Sequence, residues 1–481
     1  MPPVRSRADA CLLGGAAVAT VALVAASLAA TAPQHPRALT PAAAIHAAPA
    51  GAAAPARTSA RLADPGAPRR HRQQAVESRG ATVHAEVPRS TSTTSSTSTG
   101  TAGTSSSAAS RSAIDPALQS RLERKLSRST AGVYGLVVDI DGVGRVASVN
   151  PHRALRPASS QKLFTTLPVL LDNPDRRLVT DVVIAGRPVR GVVHGNLIVR
   201  AAGDPSLSVQ DVNRLARTVR AAGIRTVTGQ LRLDIGSMSL RTQRTGWQPD
   251  FVPTDIGPLS PFPVGRDWWR RDAAYLRHPT ARNLQLFRDR LAHQGVRIRG
   301  GNLVVRASNA HQVVAAHRSN PMRALVHRTL TYSDNFYAES LLTLAGGHRA
   351  VARTTAAAGV TDRSEATDGS GLSYDDRQTA AGEVQLLHYA YTSPARSPLV
   401  HALPIACKTG TLEHRFCGTI GAGAVFAKTG TLDHSRVLTG YTTDGLGRLV
   451  TFAVICAQVR NLTKAADATD RAIVLLRGYR G

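Results

Sequence analysis

From about residue 114 onward the chain switches between two rhythms of apolar residues. Leu118, Leu122 and Leu126 recur every four positions, the spacing of one helix face. They follow Asp115-Pro116, an N-cap residue with proline in the first turn. Residues 132–141 are β-rich, Asp141-Gly142-Val143-Gly144 reads as a hairpin turn, and 145–150 as the returning strand. A helix is predicted over 158–171, interrupted at Pro168. From 178 to about 312 the runs shorten. Strands are predicted at 180–185, 191–201, 226–235 and 302–306, with amphipathic helices near 209–222 and 281–294. Helical spacing returns over 321–345, broken midway by Ser333-Asp334-Asn335, and again over 349–358 and 378–391. Strands at 424–428, 436–443 and 449–458 and a helix at 460–477 close the chain. First and last helices around sequential antiparallel strands, with a helical half, predict an α+β body. Its segments are 114–177 and 313–481, and 178–312 reads as one inserted domain.

The first 113 residues have a different character. Arg5 and Arg7 precede an apolar run over 11–30, which ends in Ala30-Thr31-Ala32. A charged start, apolar middle and small-residue end describe a signal peptide; a membrane anchor is the other reading, and both export the body. Residues 33–113 are mainly Ala, Pro, Arg, Ser and Thr. Such a segment buries too little apolar surface to offset chain entropy and reads as a disordered linker.

The formal net charge of +27 raises the question of nucleic acid. The basic residues are scattered, aromatics are 4%, and no zinc-finger, homeodomain or RNP-like pattern occurs. An extracytoplasmic protein of the cell envelope, meeting anionic envelope polymers, fits better than a nucleic-acid binder.

Arginine bias makes the lysines informative. Only five of the 59 basic residues are lysines, and three fall in short motifs: Ser159-Ser160-Gln161-Lys162, Lys408-Thr409-Gly410 and Lys428-Thr429-Gly430. Arginine stays protonated, whereas a lysine can be tuned to act as a base. With Ser333-Asp334-Asn335 between them, these form the signature set of enzymes that acylate a serine on a D-alanyl peptide or a β-lactam. Positions i and i+3 of a helix share a face, so Lys162 falls beside Ser159, which is therefore the candidate nucleophile in preference to Ser160. Desolvation and nearby positive charge favour the neutral amine, hence a base. Each motif alone is weak; S-x-x-K is usually a surface helix turn. All three in order, each on a suitable element, are not.

The residues around the motifs resemble the class C low-molecular-mass penicillin-binding proteins, the D-Ala-D-Ala carboxypeptidase/endopeptidase family. The similarity spans about residue 114 to the end. It includes Pro157-Ala158-Ser159, Gly203-Asp204-Pro205-Ser206-Leu207, the stretch from Thr329 through Asn335 with Tyr337-Ala338-Glu339, and Asp368-Gly369-Ser370-Gly371-Leu372-Ser373. The resemblance implies a penicillin-binding/β-lactamase-like transpeptidase fold: an antiparallel sheet flanked by helices, a helical subdomain and an inserted domain. It implies that Ser159 forms the acyl-enzyme, Lys162 takes its proton, and Ser333, linked to Lys428, protonates the leaving amine. Asn335 would hold the substrate amide. Lys428, Thr429, Gly430 and Thr431 would bind the carboxylate end of the peptide along an edge strand. The N–H groups of Ser159 and Thr431 would form the oxyanion hole. Asp334 is assigned a structural role. Peptidoglycan stem peptides are the implied substrates and β-lactams the covalent inhibitors. The main reading is a serine D,D-carboxypeptidase, with D,D-endopeptidase activity a further expectation; a β-lactamase or esterase of the same fold and a non-catalytic wall-binding protein are the alternatives. No cofactor or metal is expected.

Two local questions remain open in the sequence. The second Lys-Thr-Gly copy follows a β run and leads into another strand, so Lys428 is preferred and Lys408 reads as a look-alike in a nearby loop. Cys407 and Cys417 could pair in an oxidising compartment, with Cys456 buried in a strand; a zinc site from Cys407, His414, Cys417 and His434 lacks standard ligand spacing. Trp247, Trp268 and Trp269, all in the inserted region, read as core residues over a groove lining.

Overall fold

The structure, a computed structural model, describes residues 113–130, 133–236, 244–269, 274–276 and 278–481. The stretch 1–32, expected to be a signal peptide or membrane anchor, and nearly all of 33–113, expected to be a linker, lie outside the described residues. A five-stranded antiparallel sheet forms the centre of the catalytic half. Its order across the sheet is Phe426–Leu432, Ser435–Thr443, Leu449–Cys456, Tyr134–Ile140 and Gly144–Val149. The first and last strands in space come from opposite ends of the body sequence, so Phe426–Leu432 is left as an edge.

The helix Pro116–Thr130 starts where Asp115 Oδ1 accepts the N–H groups of Ala117 and Leu118, at 2.8 and 3.1 Å. Its Leu118, Leu122 and Leu126 are buried with the closing helix Leu462–Arg477 in a core on one sheet face. The other face is covered by the helix Ala380–Thr392, through Ala380, Ala381 and Val384 against Val137 and Ala453. Beyond it a second core gathers Gln161–Asp172, Met322–Thr331, Asn335–Leu344 and Arg396–Ala402. This is the helical subdomain expected from the pattern.

The insertion folds around its own core. Its main sheet has the order Asn302–Val305, Leu231–Asp234, Leu197–Arg200, Arg177–Ile184, Gln312–Pro321. The first three run parallel, each connected through helices Val209–Ala221 or Pro279–His293, and the last two join antiparallel. The boundary set at 312/313 therefore needs correcting. Strand Gln312–Pro321 pairs with Arg177–Ile184 and belongs to the insertion's sheet, which closes at Pro321.

Pro168 does not interrupt its helix: Gln161–Asp172 is continuous. A proline in a helix interior costs about 3 kcal/mol. Against that, Leu163, Phe164, Leu167, Val169 and Leu170 are all buried, each contributing about 1.5–3 kcal/mol. Tertiary burial wins. The predicted strand at 424–428 is instead Phe426–Leu432, so the whole second Lys-Thr-Gly copy lies within it. Trp247 packs against the helical core, as expected, and donates from Nε1 to Asp368 Oδ2 at 2.7 Å. The side chains of Trp268 and Trp269 lie outside the described part.

Candidate active site

Ser159 sits in a single 3₁₀ turn, Ala158–Ser160, that runs into the helix Gln161–Asp172. Ala158 has a φ of 48°, in the left-handed region, a conformation that costs a non-glycine residue about 1–3 kcal/mol. Two glycines let the turn seat. A Cβ on Gly430 would lie 2.8 Å from the Pro157 carbonyl oxygen, and one on Gly371 would lie 1.8 Å from that of Ala158. Ser159 is half-buried while Ser160 is fully buried behind it.

Lys162 Nζ lies 2.8 Å from Ser159 Oγ, 2.8 Å from Asn335 Oδ1 and 2.5 Å from the Ser370 carbonyl oxygen. The side chain is fully buried. Burial pulls its pKa down to about 8, against the opposing charges of Asp368, Glu339, Asp334 and Asp376. The amine thus has an appreciable neutral population near neutral pH, as a base requires. The Ser370 carbonyl is aimed by Asp368, which accepts N–H groups from Ser370, Gly371 and Ser373. The neighbouring acids respond to burial and to that charge: Glu339 is pushed up to about 7 and Asp376 to about 10. Arg244 pairs with Glu339 at 3.0 Å.

The second wall is the break between helices Met322–Thr331 and Asn335–Leu344. Ser333 turns the chain there with a φ of 57°. Asp334 caps the second helix through Tyr337 N and pairs with Arg266 at 2.6 Å and Arg328 at 3.2 Å. Arg266 comes from the insertion, so this contact ties the insertion to the motif. Asn335 Nδ2 donates to the Asp255 carbonyl at 3.2 Å, a second such tie.

The third wall is the edge strand. Lys428 Nζ donates to Ser333 Oγ at 3.0 Å and to the Thr429 carbonyl at 2.7 Å. It is fully buried, and burial, followed by the charges of Lys162 and Arg436, holds its pKa well below the ordinary lysine range. Thr431 is exposed and accepts from Arg436 at 2.5 Å. The strand's outer side is engaged at its start, by the Ile405–Phe426 bridge and the bond from Ala427 N to Pro404 O at 3.1 Å. From Lys428 onward the described residues place no further strand there, which leaves an edge for an extended peptide.

Lys408 is exposed and lies over Gly423, away from the Ser159 cluster. The rest of its motif is not idle. Gly410 has a φ of 59°, and a Cβ there would lie 2.1 Å from the Thr331 carbonyl oxygen. Thr411 Oγ1 bonds Thr429 Oγ1 at 2.7 Å. A disulfide between Cys407 and Cys417, Cα atoms 5.0 Å apart, closes this loop and removes both sulfurs from any metal; Cys456 is free and buried. The eight sequence-predicted residues, Ser159, Lys162, Ser333, Asn335, Lys428, Thr429, Gly430 and Thr431, lie on the three elements that meet here, the nucleophile turn, the helix break and the edge strand. Sequence reasoning missed Asp368, Glu339, Asp376 and Glu383 as supports. The stretch 368–373 carries a family-like signal; Glu383 carries none.

Comparison with known proteins identifies the family and the fold. The profile of the D-Ala-D-Ala carboxypeptidase 3 (S13) family matches residues 112–266 and 270–477. Carboxypeptidase DacB of Mycolicibacterium smegmatis is 29% identical over 355 residues, covering 67% of this chain and 76% of its own. The crystal structure of penicillin binding protein 4 from Haemophilus influenzae superposes with a TM-score of 0.69 at 20% identity, over 75% of this chain and 99% of that one. The same protein complexed with a β-lactam superposes with a TM-score of 0.61 at 19% identity, over 74% of this chain and 98% of that one.

Proposed function

The chain belongs to the D-Ala-D-Ala carboxypeptidase 3 (S13) family and is a serine-type D-Ala-D-Ala carboxypeptidase, and from that premise we propose what each residue around Ser159 does. The reaction is acyl transfer from a peptidoglycan stem peptide. Neutral Lys162 takes the Ser159 proton as Oγ attacks the carbonyl carbon of the penultimate D-alanine. The N–H groups of Ser159 and Thr431 hold the oxyanion; losing one such donor typically costs ~10²–10³ in rate. Ser333, held by Lys428, passes its proton to the leaving amine and regains one from the protonated Lys162, and the C–N bond breaks to release D-alanine. Water then attacks the acyl-enzyme, giving the shortened peptide and free Ser159. Asn335 holds the substrate amide. Thr429 and Thr431 receive the terminal carboxylate beside Lys428 and Gly430, and Arg436 adds a positive charge where it holds Thr431.

One observation carries this reading: Lys162 Nζ is shared between Ser159 Oγ and Asn335 Oδ1, each at 2.8 Å, with the Ser333–Lys428 pair facing it. The test is incubation of the protein with a D-Ala-D-Ala peptide and with penicillin. D-alanine release and a long-lived penicilloyl-enzyme, both lost in Ser159→Ala, are expected. Fast turnover of penicillin without D-alanine release points instead to a β-lactamase. A second arm with a cross-linked D,D-dimer measures the endopeptidase activity. We further read the protein as extracytoplasmic, which the 11–30 apolar run and the Cys407–Cys417 disulfide both support.

A further inference from the structure

Glu383 is fully buried in the first turn of the helix Ala380–Thr392, and the mechanism above gives it no task. Its carboxyl touches two hydroxyls and makes no ion pair. Oε1 bonds Ser160 Oγ, and Oε2 bonds Thr439 Oγ1. Both partners border the reacting groups. Ser160 is the residue after the nucleophile. Thr439 lies directly opposite Lys428 in the antiparallel register, so the two side chains share a sheet face. The same cross-strand row continues through Ala453 and Val137, which pack on Ala380, Ala381 and Val384.

Counting protons favours the neutral form of this acid. Ser160 Oγ lies 2.8 Å from the Pro157 carbonyl, which can only accept. With its one proton given there, the Ser160 hydroxyl accepts from Glu383. Thr439 in turn donates to Oε2. The result is a one-way chain, Thr439 to Glu383 to Ser160 to the Pro157 carbonyl, and it requires the neutral acid. If Glu383 ionises, the Ser160 hydroxyl turns its proton to the carboxylate, and the Pro157 carbonyl keeps only the longer bond from the Ser160 N–H, at 3.2 Å. Pro157 is also the group that presses on Gly430.

We propose that Glu383 is a positioning residue for acylation: as the neutral acid it fixes the nucleophile turn against the strands that carry Lys428 and Thr439. This rests on the assignment of Ser159 and Lys428 above. Burial with only neutral partners also pushes the Glu383 pKa up to about 7, inside the working range.

Other ionisable groups on the surrounding elements have their own partners. On Tyr134–Ile140, Asp139 pairs with Arg145 and His388, and Tyr134 titrates only far above neutrality, as does Cys456 on Leu449–Cys456. On Ser435–Thr443, Arg436 donates to Thr431 and Tyr441 to the Leu387 carbonyl. On Arg396–Ala402, Arg396 donates to Tyr391 and His401 engages Ser397. Lys162 and Lys428 titrate in every Glu383 variant alike, so a ratio between variants isolates Glu383.

The experiment measures the second-order rate of penicillin acylation from pH 5.5 to 9 for wild type, Glu383→Gln and Glu383→Ala, with Ser159→Ala as the blank. Glutamine supplies the same donor and acceptor without a proton to lose. Glu383→Gln should match wild type within about threefold at pH 6, then overtake it by roughly tenfold per pH unit above 7. Wild type should be bell-shaped, with its maximum between about 7 and 8, and Glu383→Ala should be slow throughout. A Glu383→Gln to wild-type ratio that stays flat with pH overturns the proposal. So does a Glu383→Gln protein that fails to fold or acylates as slowly as Glu383→Ala. Labelling of Ser159→Ala would instead overturn the Ser159 assignment.

Discussion

Lys162 Nζ stands 2.8 Å from Ser159 Oγ inside a fully buried pocket that holds its pKa near 8. The base and the nucleophile are therefore already in hydrogen-bond contact before substrate arrives, and the pocket decides how much of the base is neutral.

The acid limb of the pH profile follows from that pairing. Lys162 has its pKa lowered from 10.5 to about 8, so the neutral, proton-accepting form is lost as pH falls through 8. Penicillin acylation should fall roughly tenfold per pH unit below 7. Lys162→Arg should abolish it at every pH, because arginine keeps its proton. Stopped-flow acylation at several pH values checks both.

The two Lys-Thr-Gly copies should separate cleanly. Lys428 is buried on Ser333 whereas Lys408 is exposed. Lys428→Ala should lower labelling by a fluorescent penicillin by about 10²-fold or more. Lys408→Ala should keep most of it. Gel fluorescence at fixed time reads the difference, and the reverse order would move the substrate strand to the first copy.

Gly430→Ala should be as damaging as loss of a charged group. Its Cβ would lie 2.8 Å from the Pro157 oxygen and 2.9 Å from Val437 Cβ. The strand or the nucleophile turn must shift, and a 1 Å misplacement costs on the order of 10²-fold in rate. Circular dichroism should remain native-like while acylation drops.

The loop held by Cys407–Cys417 should matter to both stability and activity. Replacing both cysteines by serine should cost about 2–4 kcal/mol of unfolding free energy, read by denaturant titration. It should also slow acylation, since the loop presents Thr411 to Thr429. Unchanged stability with unchanged acylation would make the crosslink idle.

Much of this was legible in the sequence because the informative positions are local. Ser159 and Lys162 are one helical turn apart, and Leu118, Leu122 and Leu126 mark their helix unaided. The edge position of Phe426–Leu432 was less legible, since it depends on strand order, with Tyr134–Ile140 inserted beside Leu449–Cys456. Pro168 misled because propensity was weighed without the burial that overrides it. The close of the insertion was set short because Gln312–Pro321 has an irregular burial pattern and is defined by its partner, Arg177–Ile184. Glu383 was invisible for a similar reason. Its meaning comes from Ser160 and Thr439, 223 and 56 positions away, and a single glutamate in a helical stretch reads as a solvent-facing charge until those contacts are known.

The most direct test of the central claim is mass spectrometry of the penicillin-treated protein after proteolysis. The penicilloyl mass should sit on Ser159 alone, in a peptide that Ser159→Ala leaves unmodified. An adduct on Ser160 or Ser333, or an adduct that persists in Ser159→Ala, would contradict the account.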